Sequence, residues 1–146
     1  MCRKEAAGLE RVAARLFAMP VTAERLAALD TDEDLSERVD AFAARFGRLQ
    51  DALIDKLLPA YLALAGEPPR AVVEMLDRAE RLGLVASADA FLAARKLRNR
   101  LVHEYVEDRN ELAANLSSAH GFEPHMRSTL DHLDRALARL RPLTAR

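Results

Sequence analysis

The chain is short of most residues that break helices or build strands. Among 146 residues there are five glycines, six prolines, two tyrosines, five phenylalanines and no tryptophan. No stretch alternates apolar and polar residues over strand length, so a sheet is not expected. A lone cysteine, Cys2, excludes an internal disulfide and suits a reducing cytosol, where it reads as a loose N-terminal thiol without a role. The longest apolar run, Leu57 to Ala65, is interrupted by Pro59 and falls far below the ~20 residues a membrane span needs. No signal peptide is visible, so a cytoplasmic protein without membrane contact is expected. The formal net charge of -1 excludes a protein that coats nucleic acid through a large basic surplus. Any contact with RNA must then be local, at a basic patch.

What is present is helical. Half of the residues are hydrophobic and 31% are charged, the balance of a globular chain. Alanine, leucine, arginine and glutamate dominate, and all four are strong helix formers. Residues 1–146 fit one domain with a respectable core.

Periodicity divides the chain into segments. A first helix, about Arg3 to Ala18, aligns Leu9, Val12, Leu16 and Phe17, and Pro20 ends it. Thr22 can cap a short helix carrying Leu26 and Leu29. Asp34 and Glu37 have capping-box spacing and predict the start of a long helix. Along it Leu35, Val39, Phe42, Phe46, Leu49, Leu53 and Leu57 recur by fours and threes, a seam suited to antiparallel packing. Pro59 should kink this helix or begin its end, and Gly66 stops it. A fourth helix, about Arg70 to Leu82, turns Val72, Met75, Leu76, Ala79 and Leu82 inward and stops at Gly83. Ser87 caps the next helix, and Asp108 with Glu111 repeats the capping-box spacing. The remainder is helical with an expected break at Gly121 to Pro124. Its last piece repeats Met126, Leu130, Leu133, Leu137 and Leu140, with Pro142 past its end. The predicted fold is all-α, an antiparallel up-and-down bundle of five to six helices.

Residues 95 to 105 read Arg-Lys-Leu-Arg-Asn-Arg-Leu-Val-His-Glu-Tyr, with four of the first six basic. At ~100° per residue, Ala94, Leu97 and Leu101 face the bundle while Arg95 and Asn99 point nearly the opposite way. Arg98 and His103 flank that polar face, with His103 one turn beyond Asn99. These residue types suit RNA cleavage. A histidine moves protons near neutral pH and can activate a ribose 2′-hydroxyl or protonate the leaving oxygen. An arginine holds a phosphate bidentately and stabilises the charge of the transition state. An asparagine can orient either. The bland alternative is a solvated basic face with a histidine complementing the helix C-terminus. For Arg98 that alternative is a salt bridge to Glu104 or Asp108. His120, His125 and His132 cluster in sequence, but their spacings of five and seven do not give the i, i+4 pair of a helical zinc site, so neither metal nor another cofactor is expected.

The pattern Arg98, four residues, His103, one residue, Tyr105 resembles the Arg-x4-His-x-Tyr motif of HepT toxins. It also fits the looser motif of the HEPN superfamily, in which asparagine commonly follows the arginine, as Asn99 does here. The run from Pro69-Arg70-Ala71-Val72 through Leu82-Gly83-Leu84-Val85 to Phe91 is similar to nucleotidyltransferase substrate-binding subunits of the same superfamily, as is Ser36 to Leu53. Those relatives often carry Trp where this chain has Phe91, and Asp where it has Leu97. The resemblance implies a homodimer whose two motif helices line one cleft, and a metal-independent ribonuclease neutralised by a minimal nucleotidyltransferase. It implies that Arg98 and His103 are catalytic and that Asn99 supports them. Tyr105 would be the residue modified with AMP. Beside the motif, Arg95 and Arg100 are candidate RNA contacts, with ordinary charged surface as the alternative. A second implication is a non-catalytic subunit that presents a substrate or nucleotide to the nucleotidyltransferase. A third possibility is an interaction bundle without a ligand.

Overall fold

The computed structural model of the chain describes residues 2–103 and 108–144, and all their side chains except those of 102, 103 and 141–144. The described residues are mostly helical and contain no strand. Helix α1 is Cys2–Leu16 and α2 is Ala23–Leu26. Helix α3, Glu33–Ala52, runs through a π-helical turn, Leu53–Leu57, into α4, Leu58–Leu64, without interruption. Helices α5, Val72–Arg81, α6, Ala88–His103, and α7, Arg109–Thr144, complete the order.

Four rods alternate in direction. Glu5 of α1 faces Arg48 of α3 and Gly8 lies against Arg45, so these helices are antiparallel. Asp51 and Asp55 face Arg98 and Arg95 in descending order, which sets α6 antiparallel to the α3–α4 rod. Arg3 pairs with Asp131 and Asp134, and Glu10 with Arg127, so α7 runs opposite to α1. The result is the all-α up-and-down bundle that the periodicity predicts.

The seam of α3 forms the centre of the core. Phe42, Phe46, Leu49 and Leu53 are fully buried, with Leu35 and Val39 nearly so. They meet Leu9, Val12 and Leu16 of α1, Phe91 of α6, and Leu116 and Met126 of α7. Burying such side chains contributes roughly 1.5–3 kcal/mol each. Phe17 crosses Phe42 edge-on at 5.4 Å, and Phe91 crosses Phe122 edge-on at 4.8 Å.

Helix ends follow local chemistry. Thr22 accepts from the Arg25 amide, Ser87 from Ala90, and Asp108 from Asn110 and Glu111. Gly66 and Gly83 have φ of 85° and 77° and close the same C-terminal motif. The Glu67 amide donates to Leu62, and the Leu84 amide to Ala79.

Several expectations fail for definable reasons. Asp32, not Asp34, caps α3: its carboxylate accepts from the Leu35 amide at 3.0 Å, which leaves Asp34 inside the first turn. Helix α5 starts at Val72, because Ala71 still has extended backbone (ψ 158°), and Leu82 is 42% exposed. Leu29 lies in the turn after α2. No break occurs at Gly121 to Pro124, and α7 continues through Pro142 to Thr144. Pro124 sits on the exposed face, where water can satisfy the carbonyl it leaves without a donor, while Phe122, Met126 and Leu130 anchor the inner face. Cys2 is not loose: it is buried at the edge of the core, with a free thiol.

Pro59 does not end its rod, which continues as α4 to Leu64. It lacks the N–H that would bond the Asp55 carbonyl, and its ring would crowd that oxygen. The π turn absorbs the conflict: Leu58 donates to Leu53, five residues back, which widens the backbone just before the proline.

Candidate functional site

The candidate site is built on α6 where it packs against α3. Phe91, Ala94 and Leu97 are buried and Leu101 is half-buried, which fixes the rotation of the helix about its axis. That rotation places Arg95 and Arg98 along the α3 side, Lys96 and Asn99 on the open ridge, and Arg100 toward α7.

Arg98 is the most constrained of these cations, with 18% of its side chain exposed. Its Nη2 donates to Asp51 Oδ2 at 2.7 Å, a charge-assisted bond from α6 to α3. Its Nη1 donates to Asn99 Oδ1 at 3.2 Å. The structure therefore brings Arg98 and Asn99 together and adds Asp51. Arg95 does not point away from the bundle as the helical wheel suggests. It is half-buried and leans to Asp55 Oδ1 at 3.9 Å. Arg98 pairs with Asp51, and Asp108 caps α7, while Glu104 lies outside the described residues.

His103 is the last residue of α6, one turn beyond Asn99. Its side chain, and the whole of Tyr105 and Glu104, lie outside the described residues. Arg100 is exposed and shares a hollow with Asn115 and Ser118 of α7.

Asp51 and Asp55 escape a reading of the motif alone. They stand one turn apart, and Arg95 and Arg98 stand three residues apart, so an antiparallel α3–α6 pair makes a two-rung charge ladder. The signal was present in the two apolar seams. Laying Leu49, Leu53 and Leu57 antiparallel to Ala94, Leu97 and Leu101 brings both aspartates opposite the arginines.

The other histidines go to three separate places. His120 stacks on Phe17 at 3.9 Å, and His125 on Phe122 at 5.4 Å. His132 Nδ1 donates to the Leu84 carbonyl at 3.3 Å. Among the described residues, no three His, Cys, Asp or Glu side chains converge as a metal site would require. No described helix is long and apolar enough to cross a membrane. Glu123, 4% exposed, carries the one strongly buried carboxylate on α7. Burial raises its pKa above the ordinary 4.5, against the pull of Arg127 and His120.

Compared with known protein families, with curated proteins and with solved structures, the chain matches none of them.

Proposed function

We propose that this chain is a HEPN-type, metal-independent ribonuclease toxin, held in check by a minimal nucleotidyltransferase antitoxin. The observation that carries the reading is the support under the motif. Arg98 is held by Asp51 at 2.7 Å with Asn99 beside it, on the ridge of α6 that leads one turn on to His103. A guanidinium fixed by a neighbouring helix is pre-organised for a phosphodiester.

In this reading His103 takes the proton of a ribose 2′-hydroxyl. The freed oxygen attacks the adjacent phosphorus, and the 5′-oxygen leaves with a proton. The products are a 2′,3′-cyclic phosphate and a 5′-hydroxyl end. Arg98 stabilises the added negative charge on the phosphoryl oxygens. One α6 supplies a single histidine, while the step uses one group to remove a proton and another to deliver one. Twofold pairing of two α6 helices supplies both, so the active form is a homodimer. Tyr105, two residues beyond His103, is the candidate for silencing by attached AMP.

One observation favours the alternative of a non-catalytic, nucleotide-binding subunit. Both Arg95 and Arg98 face carboxylates, which lowers the positive field along the α3 side of α6. The deciding experiment is cleavage of RNA by the purified protein in EDTA, beside His103→Ala and Arg98→Ala. Cleavage by the wild type alone, leaving cyclic-phosphate ends, supports the ribonuclease. Its absence, from a folded dimer whose Tyr105 is unmodified by mass spectrometry, supports the binding subunit.

A further inference from the structure

The side of α6 turned toward α7 carries a feature that the motif does not use. Ala90, Ala93 and Ala94 are small, so α6 and α7 leave a trough between them. Its hollow of about 330 Å³ ends in Leu97 and Phe122 on the apolar side and in Asn115 and Ser118 on the polar side. A second hollow of about 230 Å³ lies beyond the next turn of α6, between the first half of α3 and the start of α7. Val39, Leu101 and Leu112 line its floor, and Ser36, Asp40 and Arg109 its rim. The larger is near the lower size limit of small-ligand sites, about 300 Å³, and the smaller is below it.

Arg100 lines both hollows. Its surroundings differ from those of Arg95 and Arg98, each of which meets an aspartate of α3. In the smaller hollow Arg109 pairs with Asp30 at 3.5 Å and Asp40 stands at the rim, so the charges of its described lining residues balance around Arg100. The larger hollow has Arg100, an amide and a hydroxyl on its rim and no carboxylate among its described lining residues. An anion is therefore drawn to Arg100 from the larger hollow. An amphipathic group fits on each side: a flat apolar face against Val39, Leu101 and Leu112 or against Ala93, Ala94 and Leu97, and polar edges on Ser36 and Asp40 or on Asn115 and Ser118.

We infer that the two hollows are neighbouring nucleoside subsites, and that Arg100 holds the phosphodiester between them. The ligand is one dinucleotide step of single-stranded RNA. The inference rests on the proposed function for its choice of RNA. Arg100 lies about 200° around α6 from Arg98, so the strand crosses the exposed ridge at Lys96 and Asn99 between the two arginines. Asp40 is placed to accept from a ribose hydroxyl or a base amine in the smaller subsite.

Binding can be read by anisotropy of a labelled, uncleavable 2′-O-methyl oligoribonucleotide, with UpU and UMP as competitors. Arg100→Gln is expected to weaken binding about tenfold or more, the loss of one charge-assisted phosphate contact. Ala93→Trp, at an exposed position, fills the larger hollow and is expected to abolish the advantage of UpU over UMP. Wild-type affinity in both variants, each shown to be folded by circular dichroism, overturns the inference, as does equal competition by UpU and UMP. Binding that depends on Arg100 without any cleavage defeats only the ribonuclease reading. Cleavage with an unchanged KM in Arg100→Gln defeats only the subsites.

Discussion

Gln50 is 1% exposed in the middle of α3, between Leu49 and the turn that begins at Leu53. Neither its Oε1 nor its Nε2 has a hydrogen-bond partner among the described residues. Leaving a buried amide oxygen or nitrogen unsatisfied costs about 1–3 kcal/mol. Gln50→Leu removes both orphaned groups and keeps much of the side-chain volume within the seam. Misfit of the branched leucine offsets part of the gain, by about 1 kcal/mol or more. The expected net effect is a stabilisation of about 2 kcal/mol. At this chain length that raises the melting temperature by roughly 6–8 °C. Urea unfolding followed by circular dichroism measures it directly, with the slope against urea unchanged. A loss of stability of about 1 kcal/mol or more refutes the reasoning, because it means that an ordered water or a partner chain satisfies the amide. The position also immediately precedes Asp51, the residue that holds Arg98. A variant that gains stability and loses RNA cleavage therefore shows that the buried amide serves the site.

Other outcomes follow from the same geometry. Asp51→Asn removes the charge that holds Arg98, and kcat/KM for RNA cleavage is expected to fall about tenfold, the equivalent of ~1.4 kcal/mol. Because Asp51 is 46% exposed, stability should change by less than about 1 kcal/mol, and a large drop in both assigns the pair a structural role instead. Burial raises the folded pKa of Glu123 above its ordinary 4.5, so the stability it contributes is complete below that value and is lost as pH rises through the raised one. Glu123→Gln should melt a few degrees above the wild type at pH near 7, with the gap closing as pH falls toward 4.5. A variant less stable than the wild type at neutral pH means that the attraction of Arg127, 3.9 Å away, outweighs burial.

Wherever one local rule decides, the sequence is legible. The seam from Leu35 to Leu53 is buried as its spacing demands, and Thr22, Ser87, Asp108, Gly66 and Gly83 cap or close helices through contacts within a few residues. The orientation of α6 followed from Ala94 and Leu97. What stayed hidden depends on distant partners. Asp51 is 47 residues from Arg98, and only the antiparallel register of α3 and α6 joins them. The prolines misled for a related reason. Pro59 and Pro124 oppose a helix locally, but buried neighbours keep each rod intact, through a widened turn at one and a wet outer face at the other. Asp32 took the cap from Asp34 because the choice between two acids two residues apart rests on where the preceding turn delivers the chain.

Helix α7 spans 36 residues, about 54 Å, and packs against α1, α2, α3, α4 and α6. No smaller group of helices among these can open without tearing a flank of that rod from its neighbours. In hydrogen exchange the amides of α1, α3 and α7 therefore share one opening event, with a free energy close to that of global unfolding. Helix α5 packs mainly on α4 and α6 and stands outside this unit. It lies between the glycine turns at Gly66 and Gly83, so it can detach as a separate foldon while the four rods, and the face that carries Arg98, remain assembled.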